Sequence, residues 1–299
     1  MYRTIVALVG LIAVAAAQSC GQTPIKPNLM IGAALPPVHS NVSNAVVGGT
    51  TATAYSWPWN VAICTYDFWG NCNFQVSGSV IGSQWILTSA SYVSGSTKPK
   101  DYRVQAGVFD ESNKKIDSNG LTVCLFSRKE STEQFMDVQA IYVHPQYDGS
   151  HNDIALLQLK TPLRFDQFTQ PVCITSNDNT AISAGQYQWF TGWGYTTNVQ
   201  LGNPTKQLQQ AQLYIDPSSV CSNFYKDTFW TDSQICAGTP QKTTCNYDLG
   251  GPLVQQNNAG VWYQYGVSAY RAKSCDNAGV FTRVSWYCSW IYQYTGIRC

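Results

Sequence analysis

The spacing of apolar and polar positions divides the chain into three stretches. Between Val46 and Tyr270, short runs rich in β-branched and aromatic residues are separated by turn residues. They include WNVAICTY, QVSGSVI, QWILTSA, DYRVQAGVF, VQAIYVH, DIALLQL, YQWFTGW, QLQQAQLYI, PLVQQ and VWYQYGVSAY. Runs of this length and composition read as strands. Many short strands with little helix between them predict a closed barrel or a sandwich. Near the end of the chain the period lengthens. In VSWYCSWIYQYTG, Trp286, Trp290, Ile291 and Tyr294 fall on one helical face and Gly296 supplies a stop, so a C-terminal helix is expected.

Ahead of Val46 neither period holds. Residues 1–17 carry a basic Arg3, an apolar run from Ile5 to Ala17 and small residues at its end. This is the pattern of a secretory signal peptide, and the run is too short for a convincing membrane span. Residues 18–45 are rich in Pro and Asn and read as a pro-segment or linker. The remaining domain is 46–299. A secreted, extracellular protein is expected.

Composition adds two constraints. The 18 basic and 17 acidic residues nearly cancel, which gives no electrostatic case for a nucleic-acid or membrane partner. Eleven cysteines in an exported chain point to disulfides, and the odd number leaves at least one without an internal partner. Their spacing is not that of zinc ligands, and no glycine loop has the context of a phosphate cradle, so neither metal nor cofactor is expected. Asn41 heads a glycosylation sequon, Asn41-Val42-Ser43.

Several ordered stretches carry a further resemblance. VVGGTTATAYSWPWNVAI opens the domain. QWILTSASY, IYVHPQY, HNDIALLQL, TGWG, ICAG, CNYDLGGPLV and GVFTRV follow in turn. From about Cys20 to Ile297 the chain resembles the chymotrypsin/trypsin family of serine proteases. The resemblance implies an all-β fold of two antiparallel six-stranded β-barrels, a cleft between them and a C-terminal helix.

The family's chemistry needs a serine nucleophile, an imidazole base, a carboxylate that orients the base, and backbone donors for the oxyanion. By the resemblance, Ser91 stands at the imidazole position, and a serine hydroxyl does not titrate near neutral pH. Asp153 keeps the carboxylate position and needs donors such as Ser91, Ser268 or backbone amides. Leu249 stands at the nucleophile position and has no chemistry to offer. Tyr247 replaces the glycine beside which the oxyanion would sit. His39, His144 and His151 are the only histidines, and none is placed to replace the base.

The substrate cleft departs from the family as well. Its wall reads Ser268-Ala269-Tyr270, so a tyrosine narrows or caps the pocket. Thr243 at the floor carries no charge. Tyr92, Tyr247 and Tyr270 together offer an aromatic cleft lining, either as an anchor for a partner or as filler. The family's activating amino terminus pairs with the aspartate at Asp248. Here Ala45 precedes Val46, so no trypsin-type cut is available and an uncut Ala45–Val46 bond is expected. The resemblance also implies the disulfides Cys20–Cys173, Cys221–Cys236 and Cys245–Cys275. Cys64–Cys72 and Cys288–Cys299 are weaker expectations that leave Cys124 over. Two family bridges are lost at both ends, at Val76 and Tyr92 and at Gln188 and Gln255.

The resulting expectation is a secreted, catalytically inactive serine-protease homologue that acts by binding a protein, be it a protease, an inhibitor or a substrate. The alternatives are an active endopeptidase with an unorthodox site and a bulk extracellular structural component.

Overall fold

The computed structural model describes residues 19–29, 48–66, 72–111, 132–195, 205–240, 242–245, 247–270 and 275–299, with Cys72 described for its backbone alone. Residues 1–17, Asn41, His39, the Ala45–Val46 bond and Cys124 lie outside them.

The first half is a closed barrel of six antiparallel strands. They are β2 (Asn60–Tyr66), β3 (Cys72–Gly82), β4 (Trp85–Thr88), β5 (Tyr102–Ala106), β6 (Gln134–Val143) and β7 (Ala155–Leu159), joined in the order β2-β3-β4-β7-β6-β5. A two-residue strand, β1 (Thr50–Thr51), precedes them and pairs with the second half. The first half of β6 shows the alternation that builds such a barrel. Met136 and Val138 are buried while Phe135, Asp137 and Gln139 face out. Val61, Ile63, Val104, Leu157 and Leu159 fill the interior from the neighbouring strands.

The second half contains β8 (Cys173–Ile174), β9 (Tyr187–Gly192), β10 (Gln209–Tyr214), β11 (Gln234–Ala237), β12 (Pro252–Gln256), β13 (Trp262–Tyr270) and β14 (Gly279–Arg283). Its path runs β1-β10-β9-β12-β13-β14-β11, and β8 joins β13 in parallel. Six strands were expected to close as the first six do. Here the continuous ladder stops, and β10 meets β11 only through the bridge Ile215↔Ala237 and the flanking bonds from Asp216 to Cys236 and from Gly238 to Tyr214. The physical reason lies next in the chain. Pro217 has no amide to continue a ladder, and the chain turns into α2 (Ser218–Tyr225).

A tryptophan cluster bolts the halves together. Trp57 and Trp59, which lead into β2, pack edge to face at 5.8 Å, and Trp262 of β13 lies 4.9 Å from Trp57. Around it, Thr191 Oγ1 donates to Asn60 Oδ1 at 2.7 Å and Ser79 Oγ donates to Gln264 Oε1 at 2.6 Å. Buried polar groups paired across the seam fix its register as well as its area.

Two helices frame the cleft and the tail. The short α1 (Ala90–Val93) follows β4, and α3 (Cys288–Thr295) ends the chain with Gly296 left-handed at its cap, as expected. Trp290 and Ile291 of α3 are buried. Trp286 is not on their face. It sits in a 3-10 turn over Val284–Tyr287, whose tighter winding turns it out to 57% exposure.

The leader is fastened to the domain. Gly21 donates to the Pro171 carbonyl, accepts from the Trp262 amide, and lies beside the bonded Cys20–Cys173 pair. No described helix is long and apolar enough to cross a membrane.

Candidate functional site

The site forms where the loop from Cys245 to Gly251 closes against the end of β4 and the start of α1. Two backbone bonds hold it there. The Ser77 amide donates to the Leu249 carbonyl at 3.0 Å and the Gly250 amide to the Ser268 carbonyl at 2.8 Å. Gly250 has φ +73°, and a Cβ on it would lie 2.2 Å from both the Ser77 carbonyl oxygen and Thr88 Oγ1. Only glycine allows the loop to press so closely on the first barrel.

Ser91 and Asp153 come together beneath this loop. Ser91 lies in α1 and its amide donates to Asp153 Oδ1 at 2.7 Å. The Asp153 carbonyl accepts from Thr282 Oγ1 of β14 at 2.8 Å, so this residue touches both halves. Burial pushes its carboxyl up to about 6. The amides of Ser91 and Ala90 oppose that shift without cancelling it.

Leu249 is half-buried against the first-barrel core. Tyr247 has φ +69°, a region that costs a non-glycine residue about 1 kcal/mol or more. Its ring packs 5.3 Å from Tyr195 and 6.3 Å from Phe74. Tyr92 joins this group beside Tyr102, at 6.1 Å, and burial pushes its hydroxyl up to about 12 against a hydrogen bond from Thr65.

Tyr270 belongs to a separate aromatic group. Its hydroxyl donates to the Thr228 carbonyl and lies 3.3 Å from Gln234 Oε1, and its ring meets Tyr225 at 5.3 Å. The three tyrosines grouped from the sequence therefore form two clusters, one on each flank. Ser268, Ala269 and Thr243 are buried, and Thr243 Oγ1 donates to the Asn277 carbonyl at 2.7 Å. The base of this region is neutral and its hydroxyl is already engaged.

Asp248 is fully buried under the loop. The Gly194 amide donates to Oδ1 at 3.0 Å and the Cys245 amide to Oδ2 at 2.8 Å. A Cβ on Gly194 would fall 2.3 Å from its carboxylate carbon.

A closed barrel, a second sheet, a tail helix and a glycine-closed loop around a buried aspartate form a family arrangement, and comparison of the sequence agrees. A family model described as Trypsin matches residues 46–291. The chain belongs to the trypsin family. It is 31% identical over 265 residues to the ovochymase of Halocynthia roretzi, which covers 85% of this chain and 15% of that protein. It is 28% identical over 263 residues to coagulation factor XI of Bos taurus, which covers 86% of this chain and 39% of that protein. The chain thus spans less than half the length of these curated relatives.

Among the described residues, four disulfides with both partners described brace this trypsin-family chain: Cys20–Cys173, Cys221–Cys236, Cys245–Cys275 and Cys288–Cys299. Cys64 is also bonded, and the Cys64–Cys72 expectation falls on a side chain outside those described.

The described histidines are occupied. His151 Nδ1 lies 2.7 Å from Asp148 Oδ2 and Nε2 lies 3.2 Å from the Asp227 carbonyl, while its ring stacks on Trp230 at 3.6 Å. Burial works against the Asp148 charge, but the His151 ring and the amides of His151 and Ser150 hold its carboxyl down at about 2. His144 packs edge-on against Tyr287 and Trp290, and burial lowers its pKa. The carbonyls of Thr228 and Asp227, in the turn after α2, lie forty-two positions from Tyr270 and seventy-six from His151. No local pattern could have shown them.

Proposed function

We propose that this trypsin-family chain is a secreted protein that performs no hydrolysis and acts by binding another protein. One observation carries the reading. The amide of Ser91 sits 2.7 Å from the buried carboxyl of Asp153, which supports reading Ser91 at the position where the family resemblance requires an imidazole. A hydroxyl in that place accepts no proton near neutral pH. Leu249 gives no nucleophile, and Tyr247 sets a side chain where the oxyanion donors need bare backbone. His151 is no substitute base, because both ring nitrogens already have partners. Disulfides fit an oxidising compartment, which supports secretion.

The test is a fluorophosphonate probe, which labels only activated serines, run beside an active trypsin. The protein is expected to stay unlabelled and to release no chromophore from ester substrates above a blank. Labelling that survives Asp153→Ala would reveal a different mechanism. Labelling abolished by it would show that the base had been misplaced.

A further inference from the structure

The first barrel carries a second feature, a trough of about 980 Å³ on its outer face, lined in part by Tyr66, Lys98, Pro99, Lys100, Tyr102 and Lys160. Four elements build it: the end of β2, the 3-10 turn Pro99–Asp101 with the start of β5, the outward edge of β6 at Asp137 and Gln139, and Lys160 just past β7. Lys160 is held against β6 by its amide, which donates to the Asp137 carbonyl at 2.9 Å.

The charges round the trough are unequal. Three lysines, Lys98, Lys100 and Lys160, face two carboxylates: Asp137, which lies 3.9 Å from Arg103, and Asp101, which accepts from Ser96 Oγ at 2.6 Å. Among the described residues the ammonium groups of Lys98, Lys100 and Lys160 have no carboxylate within ion-pair distance. The balance is cationic, and the accessible apolar surface between the lysines comes from Tyr66 and Pro99, with Tyr102 and Val138 buried behind them. Separated like charges on a rim attract a polyanion and set its register. The apolar floor selects among polyanions. Aromatic or aliphatic side chains would desolvate it, whereas a sulfated glycan has none to offer.

We infer that this trough is a docking site for an acidic peptide segment of a partner protein, with its carboxylates on Lys98, Lys100 and Lys160 and an apolar side chain on Tyr66 and Pro99. The inference goes beyond the non-hydrolytic reading and does not rest on it, since none of these residues belongs to the Ser91, Asp153 and Leu249 site.

The probe is a fluorescein-labelled synthetic peptide of glutamates and aspartates around one Phe and one Ile, titrated by anisotropy into the full mature protein. Saturable binding is expected, weaker at high salt because exposed charges are screened. Reversing all three lysines (K98E, K100E and K160E) should cost about tenfold or more in affinity while the melting temperature holds. Tyr66→Ala should weaken binding and leave its salt dependence intact. Equal binding by the triple variant, or by a peptide with Phe and Ile replaced by Ser, would overturn the inference. So would a heparin fragment that binds through these lysines where the peptide does not. Tyr270→Ala is expected to leave peptide affinity unchanged, and a loss there would also overturn the assignment.

Discussion

At the scale of single residues, Asp153 is a charge kept without the imidazole that the family resemblance would set against it. Its carboxyl lies near 6 in the folded chain against an ordinary 3.8, because burial outweighs the donors of Ser91 and Ala90. The native state therefore holds this proton more tightly than the unfolded state. Its contribution is fully present below about pH 4 and is lost as pH rises through about 6. A shift of that size corresponds to at most about 3 kcal/mol. Asp153→Asn is expected to stabilise the protein at pH 7 by about 2 kcal/mol, less than the ceiling because the new amide must place its own N–H groups. At pH 4 the gain should vanish. Urea unfolding at the two pH values measures both, and an equal effect at each would show that the burial penalty is not what the substitution relieves.

At the scale of elements, the tail helix α3 depends on what holds its end. Only eight residues long, it is too short to persist by propensity. Trp290 and Ile291 bury one face, Ile297 and Cys299 pack on the first-barrel core, and Cys288–Cys299 closes the end over a separation of 11. Replacing both cysteines by serine should cost about 2–3 kcal/mol. Denaturant unfolding should show the loss, and the trough of the first barrel should keep its peptide affinity. This helix also marks what the sequence made legible. The face of Trp290 and Ile291 and the Gly296 stop followed from a 3.6-residue period. Trp286 did not fit, because a 3-10 turn obeys another period and nothing local announces the change. The strands were legible because short runs of β-branched and aromatic residues stand between turn residues; most are buried on both faces, and clear alternation marks the first half of β6. Helix α2 was not: Val220 and Phe224 are exposed, so the helix shows no clean apolar stripe to read. At the site, the positions of Ser91, Asp153, Tyr247 and Leu249 could be read from ordered landmarks. The separation of Tyr270 from the other tyrosines could not, because its partners Thr228 and Gln234 are distant in sequence.

At the scale of the whole molecule, the site is a seam between the closed barrel and the second sheet, and on the proposed reading its departures from the family lie on both sides. Ser91 comes from the first half, and Leu249, Tyr247 and Tyr270 from the second. Restoring one side, or only the reacting groups, leaves the seam misshapen. Ser91→His with Leu249→Ser is expected to recover little fluorophosphonate labelling, because Tyr247 still occupies the oxyanion side and Tyr270 is still tied to Thr228. Adding Tyr247→Gly and Tyr270→Gly should raise the labelling rate stepwise. The oxyanion donors alone are expected to return about a hundredfold. A double variant as fast as the quadruple one would mean that the two reacting groups were all that was missing.

The glycine cradle of Asp248 bears on heredity as well as on geometry. A side chain at Gly192 or Gly194 would collide with the carboxylate, and a smaller residue at 248 would strip the Gly194 and Cys245 amides of their acceptor. No one of these three codons can change alone without harm to the fold. Ser91 and Leu249 are under no such mutual constraint. A lineage released from the demand for turnover would thus lose its reacting groups one substitution at a time while the cradle persisted unaltered. Kinship would stay readable in the chain long after the chemistry had gone.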